Sequence, residues 1–331
     1  MHEVWTLSEV SSNRVKEIST ELLARGRALA DSLDGKLCTV VMGHAIEKVD
    51  LDMLIAYGCD HVYVVDDPHL ASFNCVQMST VLVSLIHRHE PEVLLALATT
   101  TGRTLLPYTA VQVHSGLTAD CTGLAIEEGT GNLLQTRPAI GGNIMATIKT
   151  PDHRPQMATI RPHSTPLPPY DGTRKGTIQY IEFAQEWAIG GTEVLGLTPF
   201  SDQALSIEEA EIVVSGGRGL RKQENFTLVE HLARQLGGQV GASRDAVDRG
   251  WISYPHQVGL SGKTISPKLY LALGISGAIQ HLAGIKTAEC IVAVNTDENA
   301  PILDLADFAI IGDLFAVVPE LERQLSLRRN A

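Results

Sequence analysis

LYLALGISGAIQHLAG, residues 269–284, decides the fold: a short apolar run over 269–274 passes at Gly274 into a glycine-broken turn, then into a segment with helical spacing. That is a strand followed by a helix. In an open α/β sheet, loops diverge at the carboxyl ends of the strands and helix N-termini point outward there, so ligands bind at that edge. Ser276 is placed to cap the helix, whose N-terminus offers about half a positive charge and unpaired N–H groups to an anion or a reduced cofactor. His281 falls a turn and a half into it; a lone helical histidine is also an ordinary structural or solvated residue.

Working outward, the same strand-then-turn pattern recurs. Residues 211–215 (EIVVS) read as a strand, and 225–236 as a helix with Leu228, Val229, Leu232 and Leu236 on one face, closed by Gly237-Gly238. Strands follow at 290–295 (CIVAVN) and 307–312 (DFAIIG), with a terminal helix at 315–327. The N-terminal part has its own β-α-β-α rhythm. Strands at 3–7, 37–42, 61–66 and 92–98 alternate with helical segments, the first over 13–33 with Asn13 placed as cap and Asp34-Gly35 as stop. Four short runs between 118 and 161, punctuated by Gly129-Thr130-Gly131 and Gly141-Gly142, suggest antiparallel hairpins. From His163 to Gly176 the sequence holds three prolines and no apolar period, and reads as an exposed connection. The expected organisation is an N-terminal α/β domain over 1–208 and a second, doubly wound domain over 209–331.

Three further strand edges in the second domain carry ligand-like residues. Ser215-Gly216-Gly217-Arg218-Gly219 lets the backbone approach a ligand, with Arg218 able to fork onto a phosphate; a structural turn with a solvated arginine fits it equally. The run lacks the G-x-G-x-x-G spacing of a dinucleotide fingerprint. After Gln239-Val240 comes Gly241-Ala242-Ser243-Arg244, where Arg244 is either a surface charge or a permanent cation over an electron-rich ring. Gln257-Val258-Gly259-Leu260-Ser261-Gly262-Lys263 is a polar loop whose G-x-x-G-K is too short to cradle two phosphates. Asn295 and Asp313-Leu314 end two more strands, and each alone would be a cap or turn.

Composition bounds the alternatives. With 331 residues, 44% hydrophobic, 19% charged and a formal net charge of −12, the chain resembles an ordinary soluble protein that repels nucleic acid and anionic lipid. Cys38, Cys59, Cys75, Cys121 and Cys290 lie far apart with no C-x-x-C pair, so no metal site and no disulfide framework is expected. Without a signal-like N-terminus or a long apolar stretch, no membrane insertion and a cytoplasmic location are expected.

Taken together, SGGRGL (215–220), GASRD (241–245), QVGLSGK (257–263), GISGAIQHLAG (274–284), Asn295 and Asp313–Leu314 resemble the alpha subunit of electron-transfer flavoproteins, over roughly 209–321. The resemblance implies a C-terminal doubly wound (Rossmann-like) domain binding FAD. By it, Arg218, Asn295, Asp313 and Leu314 hold the adenosine and phosphate end. Ser243, Arg244, Gln257, Val258, Gly259, Leu260, Ser261 and the stretch Ser276, Gly277, Ala278, Ile279, Gln280 and His281 line the flavin and pyrophosphate. Arg244 would lie against the isoalloxazine, the Ser261 hydroxyl would reach N5, and His281 with its helix N-terminus would face the N1/C2 carbonyl region. Preorganised donors plus a cation stabilise negative charge arriving on that ring.

Leu260 stands where the mitochondrial and respiratory pattern has glutamine, and Ser261 where it has threonine. QVGLSGKT, with TADCTG at 118–123 and LLQTRPAIGGNIMATI at 133–148, is similar to sequences of anaerobic bacteria, several of which perform flavin-based electron bifurcation. The implied partners are an electron-transfer flavoprotein beta subunit packed on the first domain, an acyl-CoA dehydrogenase or similar flavoenzyme, and, in bifurcating members, NADH and ferredoxin. The FAD domain would pivot on the Pro-rich connection. The implied function is an electron carrier. Two rivals stand beside it: a free-standing NAD(P)-dependent flavin oxidoreductase, and a scaffold with a redox-silent pocket. The first rival needs an acid or base, yet His231, His256 and His281 lack obvious acidic partners in sequence.

Overall fold

The computed structural model describes residues 2–139, 144–162, 164–190, 194–196, 207–208 and 210–329. It divides into two units, Met1–Thr198 and Pro199–Ala331.

The first unit runs β1 (Glu3–Ser8), the short pair β2 (Val10–Ser11) and β3 (Arg14–Val15), α1 (Ser19–Ser32), β4 (Lys36–Gly43), α2 (Lys48–Ala56), β5 (His61–Asp66), α3 (Cys75–His89), β6 (Val93–Leu97), α4 (Thr100–Gln112) and β7 (Leu117–Cys121). It continues with β8 (Gly123–Ile126), β9 (Leu133–Pro138), β10 (Met145–Ile148), β11 (Gln156–Ile160) and β12 (Thr177–Tyr180). Seven strands form a parallel sheet in the order β12-β5-β4-β1-β6-β11-β7. Successive residues of a strand point to opposite faces. Val4 and Val41 accordingly pack with Leu22 and Leu23 of α1 and Leu54 of α2, while Trp5 and Val40 pack with Leu82 and Leu85 of α3 and Leu106 of α4.

Sequence and structure differ here at three places. The helix expected from residue 13 starts at Ser19, because Ser12 and Asn13 take positive φ (50° and 66°) and form the two-residue turn of the β2–β3 hairpin. Asn13 is a turn residue, not a cap. The antiparallel hairpins comprise β8, β9 and β10, whereas the runs before and after them, β7 and β11, enter the parallel sheet side by side. The turn at Gly141-Gly142 lies outside the described residues, as does His163. The Pro-rich stretch is an excursion within this unit and not a link to the second: β12 follows it and pairs in parallel with β5, and Trp187 beyond is buried in this unit's core.

The second unit runs β13 (Ile212–Gly216), α5 (Phe226–Leu236), β14 (Gln239–Ala242), α6 (Arg244–Asp248), β15 (Leu269–Leu273), α7 (Ile279–Leu282), β16 (Ile291–Asn295), α8 (Pro301–Leu305), β17 (Phe308–Ile311) and α9 (Leu314–Arg329). Its five strands are all parallel, in the order β14-β13-β15-β16-β17. α5 buries Phe226, Val229, Leu232 and Ala233 against Val214 and Leu273, the three larger side chains being worth about 1.5–3 kcal/mol each. Gly237 ends the helix at φ +72°, a left-handed value at which glycine carries no Cβ penalty. The chain moves from β13 to β14 on one side, then returns to lay β15 on the other. That reversal opens a crevice between the carboxyl ends of β13 and β15.

Candidate functional site

A cleft of about 650 Å³ occupies that crevice, a size ordinary for small-molecule sites. Of the residues singled out in the sequence, Arg218, Ser243, Arg244, Val258, Gly259, Leu260, Ser261, Ser276, Gly277, Ala278, Gln280, His281 and Asn295 line it. Gly219, Asp245, Gly274 and Ile275, which fall within the motifs quoted above without a role of their own, line it as well, as does Asp297, which the sequence reading missed.

Backbone packing builds the floor. A Cβ on Gly219 would fall 2.6 Å from the Gly274 Cα, and the Gly219 N–H donates to the Gly274 carbonyl at 2.9 Å. Only glycine at both positions lets the turns after β13 and β15 touch in this way. Arg218 is exposed on this turn and makes no ion pair among the described residues. Ser243 precedes α6, and its Oγ is buried with no hydrogen-bond partner among the described residues. Arg244 is paired with Asp248 at 3.2 Å, but its side chain is 69% exposed. Such a pair is worth about 0–1 kcal/mol, so the guanidinium is readily recruited by a ligand.

The loop at 257–263 is tied down at several points. Val258 N–H donates to the Ala242 carbonyl at 2.9 Å, and Leu260 N–H to the Gln280 carbonyl at 2.9 Å. Gln257 does not line the cleft. It is buried below it, and its Nε2 donates to Ser261 Oγ at 3.0 Å. Because that oxygen accepts from an amide, the Ser261 proton remains available to an acceptor in the cleft. Leu260 is 62% exposed at the rim, and Lys263 is paired with Glu208 at 2.9 Å, away from any phosphate role.

The segment after β15 departs most from expectation. α7 is a single turn capped at Ala278; Ser276 is exposed and its carbonyl accepts from Ile302 N–H at 3.1 Å. Gly277 holds φ +88°, and a Cβ there would lie 2.4 Å from the Ile302 nitrogen. Glycine is therefore what permits the chain to turn so tightly that little helix remains. The N–H groups of Ala278, Ile279 and Gln280 have no hydrogen-bond partner among the described residues, as befits a first helical turn. The Ile279 side chain, 71% exposed, does not line the cleft.

His281 is the third residue of that turn, 6% exposed, with both ring nitrogens turned into the protein. Nδ1 lies 3.1 Å from the Val258 carbonyl and Nε2 2.8 Å from the Tyr270 hydroxyl. Burial pushes its pKa down to about 4, against a smaller opposing effect of the Val258 carbonyl. A carbonyl can only accept, so Nδ1 carries the proton and Nε2 accepts from the phenol. The expectation that the ring faces a ligand is thus corrected: His281 walls the cleft as a neutral group, and the unpaired donors on this segment are backbone N–H groups.

Asn295 fixes the neighbouring loop, its Nδ2 donating to the Ile275 carbonyl at 2.9 Å and its Oδ1 accepting from Asp297 N–H at 3.0 Å. Asp313 and Leu314 fall outside the cleft lining. Asp313 accepts from Phe315 N–H at 3.0 Å at the start of α9, and Leu314 is buried against Val294 and Leu273. Among the described residues no group of side chains could hold a metal ion, and no helix is long and apolar enough to cross a membrane. All five cysteines are free.

Comparison with known proteins gives two family matches, an electron transfer flavoprotein domain over residues 4–186 and an electron transfer flavoprotein FAD-binding domain over 206–286. An electron transfer flavoprotein subunit alpha from Thermoanaerobacterium thermosaccharolyticum is 45% identical over 323 residues, covering 98% of this chain and 97% of the relative. One from Megasphaera elsdenii is 40% identical over 329 residues, covering 99% and 97%. A protein of Anaerotignum propionicum named acryloyl-CoA reductase electron transfer subunit beta is 38% identical, covering 99% of this chain and 97% of the relative.

Proposed function

The chain belongs to the electron transfer flavoprotein family as an alpha subunit with an FAD-binding domain, and from that premise we propose that FAD lies in the cleft between β13 and β15 and carries electrons between protein partners. The observation that carries this reading is the donor set already standing there. Two exposed arginines, a buried serine hydroxyl and the backbone N–H groups of Ala278 and Gln280, the last three without a partner among the described residues, belong to one concave edge, a set suited to a ligand with a pyrophosphate and a ring that gains negative charge. Arg218 and Asn295 would serve the adenosine and phosphate end. Ser243, Arg244, Val258, Gly259, Leu260, Ser261 and the turn from Ser276 to Gln280 would serve the pyrophosphate and the ring. Gln257 and His281 would act from behind the loop, and Asp313 and Leu314 would shape the wall beyond Gly274. When bound, FAD supplies reversible one- and two-electron chemistry; the chain supplies charge and hydrogen-bond donors held in place before the electron arrives.

In this reading residues 209–331 form the FAD domain and 1–208 dock a beta subunit, in the cytoplasm. Electrons pass to or from an acyl-CoA dehydrogenase-type flavoenzyme, a class of partner supported by the name of the Anaerotignum relative. The similarity of QVGLSGKT to anaerobic sequences supports a bifurcating complex that draws on NADH and divides electrons between that partner and ferredoxin. A free-standing NAD(P)-dependent oxidoreductase is less well supported, since His281 is neutral and turned inward and, among the described residues, no carboxylate hydrogen-bonds to it. Co-expression with the beta subunit and a flavin count per heterodimer tests both levels. One FAD is the minimum expected, two support bifurcation, and a folded heterodimer that takes up none rules the proposal out.

Arg244→Gln should weaken FAD binding by about 1–2 kcal/mol, a factor of about 5–30, through loss of a cation beside the ring. FAD titration of the flavin-stripped heterodimer measures it. Unchanged affinity would place Arg244 back among ordinary surface charges.

A further inference from the structure

Tyr270 is wholly buried on β15, beneath the cleft, with its hydroxyl 2.8 Å from His281 Nε2. A buried phenol needs a partner, and here it has one that leads onward. His281 Nδ1 reaches the Val258 carbonyl, and the residues after Val258 are Gly259, Leu260 and Ser261, all at the cleft surface. Three elements are thereby joined: a central strand of the sheet, the single turn of α7, and the loop at 257–263. The loop leans on α7 and on the residues just after it at further points, since Leu260 N–H donates to the Gln280 carbonyl and a Cβ on Gly284 would fall 2.6 Å from Gly259 backbone atoms.

Resting on the reading that FAD occupies this cleft, we propose that Tyr270 is a positioning residue of the flavin site: by donating to His281 Nε2 it holds the imidazole with Nδ1–H on the Val258 carbonyl, and so sets where the Ser261 hydroxyl meets the cofactor. The chemistry runs in one direction. A carbonyl accepts only, which places the proton on Nδ1; the bare Nε2 then requires a donor, and the phenol is the donor at hand. Without the phenol, Nε2 is a buried acceptor with no partner, at a cost of about 1–3 kcal/mol. The ring escapes that cost by turning, and in turning releases the Val258 carbonyl. Burial keeps the ring neutral at neutral pH, the state this arrangement requires. Gln257 fixes the same hydroxyl from the loop's own side, so Ser261 is located from two directions.

The test uses the FAD-loaded heterodimer. In the unmodified protein, nitrogen NMR of labelled histidine should show His281 neutral at pH 7, protonated on Nδ1 and accepting at Nε2; an Nε2–H tautomer or an imidazolium overturns the proposal. Tyr270→Phe should still bind FAD but lose the fixed tautomer. Its FAD midpoint potential should move by the worth of one hydrogen bond, about 3- to 10-fold or about 30–60 mV for one electron. In a double-mutant cycle with Ser261→Ala the two shifts should fail to add, because Tyr270 acts through that hydroxyl. An unmoved potential, or fully additive shifts, overturns the proposal. Should Tyr270→Phe fail to fold, the tautomer in the unmodified protein decides. A heterodimer that never binds FAD contradicts the flavin reading instead, and the histidine signal still reports on the strut from Tyr270 to Val258.

Discussion

Gly277→Val is expected to weaken the heterodimer's hold on FAD by at least about 30-fold. At φ +88° a side chain is strained wherever it sits, by about 1–2 kcal/mol. Here the Cβ would also lie 2.4 Å from the Ile302 nitrogen and 2.8 Å from its Cα, backbone atoms that cannot rotate away as a side chain can. Forcing such a contact adds about 1–3 kcal/mol. Relief comes by moving the segment from Ser276 to Gln280, which breaks the bond from Ile302 N–H to the Ser276 carbonyl and carries the unpaired N–H groups off the cleft wall. A combined cost of about 2–5 kcal/mol corresponds to at least about a 30-fold loss of FAD affinity. FAD titration of the purified variant, beside its far-ultraviolet circular dichroism, measures it. Wild-type affinity in a folded variant would mean that this turn is not part of the site.

The second large effect is on stability and follows from His281. Its pKa drops from the usual 6.5 to about 4 on folding, chiefly through burial, and among the described residues no titratable side chain other than the raised Tyr270 hydroxyl hydrogen-bonds to it. As pH falls through 6.5 the unfolded chain gains a proton that the folded chain refuses until about 4. Where the unfolded state binds more protons, stability falls with falling pH, so the loss accumulates between 6.5 and 4 and levels off below. At about 1.4 kcal/mol per pH unit, His281 should cost the second unit about 3 kcal/mol across that window. Carboxylates also titrate there, so the informative quantity is the difference between wild type and His281→Gln. Denaturant unfolding followed by FAD release should show that difference narrowing by about 3 kcal/mol from pH 7 to pH 4. A constant difference would mean that the imidazole is not buried and neutral.

Much of this is legible in the sequence alone. The central residues of EIVVS, LYLALG and CIVAVN are apolar because parallel strands are covered on both faces, and their carboxyl ends lead into the glycines, serines and arginines that a ligand edge needs. What could not be read falls into two physical classes. The first is polar burial. β11 reads QMATI, yet it is buried at every position, because Gln156 Oε1 accepts from Leu133 N–H at 2.7 Å and Thr159 Oγ from Asp120 N–H at 2.9 Å. A strand whose polar residues are satisfied in this way leaves no apolar signature. Ser12-Asn13 belongs here too, since the same residues that cap helices also tolerate the positive φ of a hairpin turn.

The second class is direction. Spacing placed His281 and Gln257 near the cleft but could not say which way their polar atoms face; both are turned inward, one to Tyr270 and Val258, the other to Ser261. Tyr270 itself left a faint signal, a phenol within an apolar strand that must find a partner for its hydroxyl. Asp313 and Leu314 stand at a strand edge, but the chain turns directly into α9 there, so one side chain caps the helix and the other joins the core.

The most direct measurement is a crystal structure of the FAD-loaded heterodimer. The expected density is an FAD seated between the turns after β13 and β15, with Arg218 at its phosphates, Ser243 Oγ partnered, and the Ser261 hydroxyl and Arg244 against the ring. Flavin bound at another place, with this cleft filled by solvent or by its own side chains, would contradict the assignment.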